Sequence, residues 1–412
     1  MKKTILIAVT FPFMERDFRR YNVQEWLNNG FDVLVLDFTY IAHPASRGKK
    51  QMLPDLVNED YIYKVDDIEG FKNKIAKISG GKVLLQNRVD FSIEFEPFFS
   101  ALKQMNTKFV YANPAGFFPD GPSLSGLPWY ANKYRFIKKL LSPRKVYNKI
   151  KNRMLRSMNI ETRFINIPDA FTLLCKQECR DVEQVIGPIQ VPIIAGHTPD
   201  FDLFMKEVKK GYPKENYCVY LGGYMNTDHK KQLEGDAESP IDIDRFFSSM
   251  RRLFDIVEQK TGLEVIVADH PRSTYQNYAK PFGDRQIIKH RTAELVLKSK
   301  LSILHNSTSF CYNVLSYLPS IFVITAEQCD PQKTPIYSYT SAVAHSVGQK
   351  VIHIDKPGEL ENIDFENLAV DRDLYESYIE EYITLNGMSE HSFFDAVHEA
   401  VLTCTALENS AV

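Results

Sequence analysis

The chain has 412 residues, of which 44% are hydrophobic and 25% charged, the usage of a folded globular protein. This length exceeds one ordinary hydrophobic core and predicts about two domains. The 50 Lys and Arg against 52 Asp and Glu give a formal net charge of −2, which excludes a uniformly basic polyanion binder and a disordered acidic chain. No apolar run in the sequence reaches the roughly 20 residues that span a bilayer.

The first residues resemble a signal peptide, but the apolar stretch ends at Glu15, Arg16 and Asp17 without a small-residue cleavage site. We therefore expect a buried first strand. The six cysteines are scattered and form no CxxC motif, which is typical of free thiols in a reducing compartment. The sequence thus predicts a cytoplasmic protein.

Short apolar runs alternate with helical patterns in the first half of the chain. Strands are predicted at 4–9, 32–37, 82–85 and 108–111, with an amphipathic helix at 18–29. Continuous apolar strands that alternate with helices indicate a parallel sheet covered on both faces. The first half is therefore predicted to form a Rossmann-like α/β domain.

The same pattern restarts at residue 217. Strands are predicted at 217–221, 263–268, 301–304 and 320–325, and helices at 241–261, 292–299, 307–317 and through most of 371–407. The fold class we predict is α/β, with two Rossmann-like domains that face each other across a cleft. We place the domains at 1–205 and 206–385, followed by a helical tail at 386–412.

A histidine and a proline directly follow the predicted strand 263–268: they are His270 and Pro271, with Arg272 next. Proline restricts the residue before it to extended geometry, so His270 is held rigidly. Imidazole can donate to, or protonate, a phosphate, and Arg272 can contact an anion through two N–H groups. An ordinary strand-end turn with a surface histidine would give the same pattern.

Three hydroxyl residues follow the predicted strand 301–304. His305 ends the strand, and Ser307, Thr308 and Ser309 form the turn into the next helix. Backbone N–H groups and hydroxyls at such a turn favour a phosphate. A capped helix without a ligand is the alternative.

A carboxylate lies between these two motifs. Thr292 and Glu294 begin a predicted helix, and the carboxylate of Glu294 could accept hydrogen bonds from both hydroxyls of a ribose. A glutamate in a first helical turn also complements the helix dipole without any ligand.

The order of the motifs resembles that of GT-B glycosyltransferases that use a CMP-activated acidic sugar. His270-Pro271, Glu294 and Ser307-Thr308 follow successive elements of one α/β domain. The family includes bacterial sialyltransferases, polysialyltransferases and Kdo transferases. The resemblance is clearest over 217–325.

The resemblance implies a role for each matching residue. His270 would contact, and could protonate, the CMP phosphate, while Pro271 packs against the cytosine. Glu294 would hold the ribose hydroxyls, and Ser307 and Thr308 would bind the phosphate.

One position departs from the family pattern. Gly222 and Gly223 follow strand 217–221, where many such enzymes carry an acidic residue. Glycine permits close approach of a sugar or phosphate to the backbone. The candidates for a base or nucleophile are then Asp236, Glu238 and His229 in the following loop, and a solvated acidic loop is the alternative.

We expect neither a metal nor a cofactor, because His270 and the hydroxyls can stabilise the single phosphate of departing CMP. The acidic triplets 200–202, 242–244 and 371–373 resemble the DxD metal motif, and we interpret them as structural. The Gly222-Gly223 pair is not a dinucleotide fingerprint.

A basic segment occupies residues 129–160. Ten Lys and Arg and no acidic residue lie between 133 and 156, interleaved with apolar residues. Such a composition can contact an anionic membrane surface or an anionic or lipid-linked glycan. RNA binding has no recognisable module to support it, and a solvated basic face is the remaining alternative.

The sequence therefore predicts a metal-independent glycosyltransferase that moves Kdo from CMP-Kdo to a bacterial surface glycan, in the cytoplasm or at the inner face of the membrane. Sialic acid from CMP-sialic acid is the nearest alternative. A UDP- or GDP-sugar donor, or a non-catalytic subunit of a glycan-assembly complex, are the others. No nucleic-acid partner is expected.

Overall fold

A computed structural model describes residues 2–48, 56–86, 95–117, 168–222, 242–271, 275–305, 307–329, 336–385 and 391–406, together with 119, 233 and 273. The basic segment 129–160 lies outside these residues, and its predicted contacts stay predictions. Among the helices of the described ranges, none combines the length and apolar composition needed to cross a membrane.

Seven parallel strands form the first sheet in the described part of the chain. They are β1 (Thr4–Val9), β2 (Asp32–Asp37), β3 (Ile62–Lys64), β4 (Lys82–Gln86), β5 (Lys108–Tyr111), β6 (Ala170–Leu173) and β7 (Ile193–Ala195), in the order β3-β2-β1-β4-β5-β6-β7. Consecutive residues of β1, such as Ile5, Leu6 and Ile7, are all fully buried. Both faces of this sheet are therefore covered.

The helices of the first domain pack on these faces. They are α1 (Glu15–Arg20), α2 (Val23–Asn28), α3 (Thr39–Ala42), α4 (Ile68–Ala76), α5 (Glu96–Gln104) and α6 (Lys176–Ile186). The single helix predicted at 18–29 is in fact two, because Asn22 adopts a left-handed conformation with φ of 50°. Asparagine tolerates this geometry better than most residues, and it turns the chain between α1 and α2.

Six parallel strands form the second sheet in the described residues. They are β8 (Tyr217–Gly222), β9 (Glu264–Asp269), β10 (Ile287–Lys289), β11 (Leu301–His305), β12 (Ser320–Ile324) and β13 (Val351–His353), in the order β10-β9-β8-β11-β12-β13. This is the strand order of a doubly wound α/β sheet.

The helices that cover the second sheet are α7 (Pro199–Val208), α8 (Ile243–Thr261), α9 (Thr292–Lys298), α10 (Phe310–Leu315), α11 (Ile336–Ser346) and α12 (Arg372–Tyr382). The apolar stripe of α8 enters the core through Phe246, Met250 and Phe254. Helix α7 belongs to this side as well, since Phe201 and Phe204 pack in the same cluster as β8. The domain boundary near 205 stays a prediction.

The last helix, α13 (Phe393–Ala406), returns to the first sheet. Its buried side chains Val397, Val401 and Cys404 share a core cluster with Ile5 and Ile7 of β1. The C-terminal helix therefore completes the core of the N-terminal domain.

The chain passes between the domains at two adjacent segments. Thr198 N–H donates to the Ile383 carbonyl at 3.1 Å, and Leu385 N–H donates to the Gly196 carbonyl at 3.1 Å. His197 and Thr384 form an antiparallel bridge between these bonds. The predicted fold class, two Rossmann-like α/β domains with a helical tail, is confirmed.

Val401→Ala tests the role of α13. Val401 is fully buried, so we expect a loss of about 2 kcal/mol in the free energy of unfolding from lost burial and the cavity left behind. The matched control is Leu402→Ala on the same helix, where the side chain is 47% exposed and the expected change is within about 0.5 kcal/mol. Urea denaturation measures both, and equal losses would contradict the packing of α13 on the first sheet.

Candidate functional site

The strand order of the second sheet reverses between β8 and β11, and ligands of doubly wound sheets bind beyond the strand ends at such a point. Gly222 ends β8 and lies opposite His305, which ends β11. A Cβ on Gly222 would come within 2.8 Å of the Tyr220 hydroxyl oxygen. A side chain at this position would therefore require the buried Tyr220 ring to shift, and in this structure the backbone of Gly222 borders the crevice.

His270 lies in a tight turn at the end of β9. Ser273 N–H donates to the His270 carbonyl at 2.8 Å, with Pro271 at the second turn position, which proline favours. The Ser273 hydroxyl donates to the carboxylate of Asp269, which is only 3% exposed. Lys289 Nζ lies 3.7 Å from the same carboxylate and donates to the Ser273 carbonyl at 3.1 Å. These bonds hold the backbone turn that carries the half-buried His270.

Burial raises the pKa of Asp269, while the Ser273 hydroxyl and Lys289 oppose that rise. This carboxyl group is buried and stabilises the turn by accepting the hydrogen bond of the Ser273 hydroxyl.

His305 does not line the crevice. Its side chain has no exposed surface and packs against the rings of Tyr220 and Phe246. Nδ1 lies 3.1 Å from the Tyr220 hydroxyl oxygen. Burial lowers the pKa of His305 to about 3. The ring is neutral and supports the end of β11 from within the core, so in this structure it has no surface with which to contact a ligand.

The hydroxyl turn after β11 reaches the cleft between the domains. Ser309 N–H donates to the Ser307 hydroxyl at 3.3 Å, and Phe310 N–H donates to the Ser307 carbonyl at 3.1 Å. Thr308 is exposed. A Cβ on Gly116, in the loop after β5 of the first sheet, would lie only 3.7 Å from the Thr308 Cβ. The turn therefore faces the N-terminal domain directly.

Glu294 occupies a different place. It lines a cavity of about 480 Å³ whose other residues come from α9 and the amino-terminal parts of β8, β9 and β10, including Glu215 and Glu264. Its carboxylate accepts from Arg291 Nε at 2.7 Å and lies 3.0 Å from Lys298 Nζ.

Arg291, with Lys298, lowers the pKa of Glu294 to about 2, against partial burial. The half-buried Thr292 begins the same helix. The structure does not bring Glu294 to the strand-end crevice with His270, and its ribose contact stays a prediction.

The remaining predicted residues, Gly223, His229, Asp236, Glu238 and Arg272, lie outside the described residues, and their roles stay predictions. Leu233, from the same stretch of sequence, is described. It is fully buried against Met14, with Phe11 alongside, in the segment that follows β1. This contact joins the two domains at the strand-order reversal of the first sheet.

A charged cluster at the cleft was missed by the sequence interpretation. Asp200 Oδ1 accepts from the Tyr312 hydroxyl at 3.2 Å, and Oδ2 lies 3.5 Å from Arg20 Nη2. A Cβ on Gly116 would also lie 3.7 Å from Asp200 Oδ2, so this carboxylate is close to the Thr308 turn.

Asp202, the other acidic residue of the triplet 200–202, is structural. Its Oδ1 lies 2.6 Å from His197 Nε2, and its Oδ2 accepts from Phe393 N–H at 2.8 Å. The sequence signal for the charged cluster of Asp200 and Arg20 was the spacing of Arg16 and Arg20 in the segment shortly after β1, because residues four apart lie on one face of a helix.

No protein-family model matches the sequence, and no curated protein does. Solved structures do match. A variant of the wall teichoic acid polymerase TagF is 8% identical, with 100% of this chain and 90% of that chain covered at a TM-score of 0.50. A protein described as a UDP-N-acetylglucosamine 2-epimerase from Listeria monocytogenes is 12% identical over 99% and 98% of the chains, at 0.45. MurG of Acinetobacter baumannii is 9% identical over 98% and 100%, at 0.44.

The TagF likeness shows the fold alone. Together with the two parallel sheets of seven and six strands, it gives the fold class, which is the GT-B arrangement of two Rossmann-like domains across a cleft.

The buried His305 predicts a pH dependence of stability. Its pKa is about 3 in the folded chain and about 6.5 when unfolded, so only the unfolded chain takes up this proton in between. The contribution is therefore complete above pH 6.5 and is lost as the pH falls towards 3. Between pH 7 and pH 5 it costs about 2 kcal/mol.

His305→Gln removes this titration. We expect the unfolding free energy of the variant to fall by about 2 kcal/mol less than that of the natural chain between those two pH values. Urea denaturation at both pH values measures the difference, and parallel losses would show that His305 titrates normally.

Proposed function

We propose that the protein is a glycosyltransferase that moves an ulosonic acid, Kdo or the related sialic acid, from a CMP-activated donor to a glycan acceptor. The observation that carries the proposal is the position of two turns, His270-Pro271 after β9 and Ser307-Thr308 after β11. These strands flank β8, so a strand spacing of about 4.8 Å puts their ends about 10 Å apart. That distance suits a nucleoside monophosphate held from two sides.

The donor half of the proposed reaction needs stabilisation of one leaving group. The bond between the anomeric carbon and the phosphate oxygen breaks, and its electron pair leaves with CMP. His270 would donate a hydrogen bond or a proton to that phosphate, and the hydroxyls of Ser307 and Thr308 would donate further hydrogen bonds. Because hydrogen bonds fix the backbone turn at His270 before the donor arrives, little backbone reorganisation is required. The proposal assigns no metal and no cofactor.

The acceptor half needs a base or a nucleophile. A carboxylate that removes the acceptor proton gives inversion, and one that attacks the anomeric carbon gives retention. We propose Asp236 or Glu238, with His229 as a further candidate. The packing of Leu233 on Met14 at the cleft supports this choice. The segment 129–160 is proposed to hold an anionic acceptor or a membrane surface.

Two rival functions share this fold. A UDP- or GDP-sugar donor would carry a second phosphate, and a non-catalytic subunit would lack a base. A glycine ends β8 and another follows it in the sequence, so no acidic residue lies at this strand end, which is compatible with a non-catalytic subunit. A measured preference for CMP over UDP and GDP would exclude the first rival, and measured transferase activity would exclude the second.

Nucleotide binding tests the donor assignment. We expect CMP to raise the melting temperature more than UDP or GDP does. His270→Ala should weaken CMP binding about ten- to hundredfold, since a hydrogen bond to a charged group contributes roughly 1.5–3 kcal/mol. His391→Ala, at an exposed histidine before α13, is the matched control and should bind normally. A larger shift with UDP would overturn the CMP assignment.

A further inference from the structure

Helix α1 presents two arginines to the cleft. Arg16 and Arg20 are four residues apart, so they lie on the same face of the helix. The helix begins a few residues after β1, where the strand order of the first sheet reverses. Both side chains are partly buried, with 28% and 23% exposure.

Arg20 lies close to the hydroxyl turn of the other domain. Its Nη2 is 3.5 Å from Asp200 Oδ2. The same Asp200 oxygen and the Thr308 Cβ both border Gly116, each 3.7 Å from the position of a Cβ there. Asp200 and Gly116 therefore link Arg20 to the Thr308 turn, and Arg20 approaches from the domain opposite that turn.

Arg16 has a donor that the described residues leave without a partner. Its Nη2 lies 3.2 Å from Asp17 Oδ1, but its Nε–H is buried and donates no hydrogen bond in the described part of the chain. A buried unpaired donor costs roughly 1–3 kcal/mol, which an incoming acceptor would recover. Burial, followed by the charge of Arg20, lowers the pKa of Arg16. Two close cations of this kind favour an oxyanion between them.

The two nearby carboxylates have other partners. Asp17 Oδ2 accepts from Met14 N–H at 3.2 Å, at the start of α1. Asp200 accepts from the Tyr312 hydroxyl. Each guanidinium carries five N–H donors, so one ion pair apiece leaves donors for a ligand. The two guanidinium groups and the two carboxylates are neutral overall, so the attraction for an anion comes from the remaining N–H donors and not from a net positive charge.

We propose that Arg16 and Arg20 bind the carboxylate of the donor sugar, across the cleft from the hydroxyl turn that binds the phosphate. This inference rests on the proposed function and narrows it. A carboxylate next to the anomeric carbon distinguishes an ulosonic acid from a neutral sugar, and a guanidinium matches that group with two parallel hydrogen bonds. The pair would make the enzyme specific for acidic sugars.

The test compares ligands with and without the carboxylate. Calorimetry measures CMP, CMP-Kdo and CMP-N-acetylneuraminic acid on the natural chain and on Arg20→Gln, Arg16→Gln and Arg20→Lys. We expect the glutamine variants to weaken at least one CMP-sugar ten- to hundredfold while CMP itself is unchanged. Arg20→Lys keeps the positive charge but loses the paired N–H donors of the guanidinium, so its affinity for the CMP-sugar should lie between those of the natural chain and Arg20→Gln.

Arg19→Gln is the matched control. Arg19 is on the same helix, 62% exposed and paired with Glu15, so all ligands should bind it normally. An equal loss of CMP and the CMP-sugars in Arg20→Gln would show that the arginines bind the phosphate, which overturns the carboxylate assignment. Unchanged affinities in both glutamine variants would overturn the site.

Failure of the proposed function gives a different pattern. If no nucleotide binds the natural chain, the CMP donor is wrong, and free N-acetylneuraminic acid and inorganic phosphate become the probes. Binding of the sugar acid, without phosphate, that disappears in Arg20→Gln supports the arginine site without that donor. Phosphate binding alone, or no arginine-dependent binding, overturns it.

Discussion

Asp202 joins the two passages of the chain between the domains. One carboxylate oxygen lies 2.6 Å from the ring nitrogen of His197, where the chain leaves the first sheet. The other accepts the Phe393 N–H, where the chain returns to it as α13. The backbone bonds between Gly196–Thr198 and Ile383–Leu385 lie beside this contact. Because both passages are fixed at one place, the carboxyl ends of the two parallel sheets face each other, and Thr308 comes to lie against Gly116.

The facing sheets explain why residues distant in sequence share the cleft. In a parallel sheet every strand ends at the same edge, so the loops after β1, β5, β9 and β11 lie along the two edges that meet. The N-terminal domain contributes arginines, and the C-terminal domain contributes a histidine and hydroxyls. The proposed donor carries two anionic groups, and we propose that each domain holds one of them.

Most of the fold could be predicted because buried parallel strands are continuous apolar runs. The strands at 4–9, 32–37 and 108–111 match β1, β2 and β5 residue for residue. The predicted helix 18–29 failed because Asn22 breaks it, and an asparagine inside an apolar pattern is a weak signal. The return of α13 to the first sheet is a tertiary contact that periodicity does not contain.

The place of His270 at the end of β9, and of the Ser307-Thr308 turn shortly after β11, could be predicted because both strands are continuous apolar runs, while the roles of these residues stay predictions. His305 was misplaced because the last residue of a strand can point into the core or out of it, and only packing against Tyr220 decides which. The contact between Arg20 and Asp200 was missed because the two residues are 180 positions apart in the sequence. They come together only when the two chain segments between the domains are joined at Asp202. Glu294 comes between the two motifs in the sequence as expected. Its carboxylate, however, lies beside the amino-terminal edge of the second sheet, away from the strand ends that carry His270.

A crystal structure with CMP bound tests the central claim most directly. We expect the phosphate to lie between His270 and the Ser307-Thr308 turn, beyond the ends of β9 and β11. Phosphate density in the cavity beside Glu294 and Lys298, with the strand-end crevice empty, would contradict it.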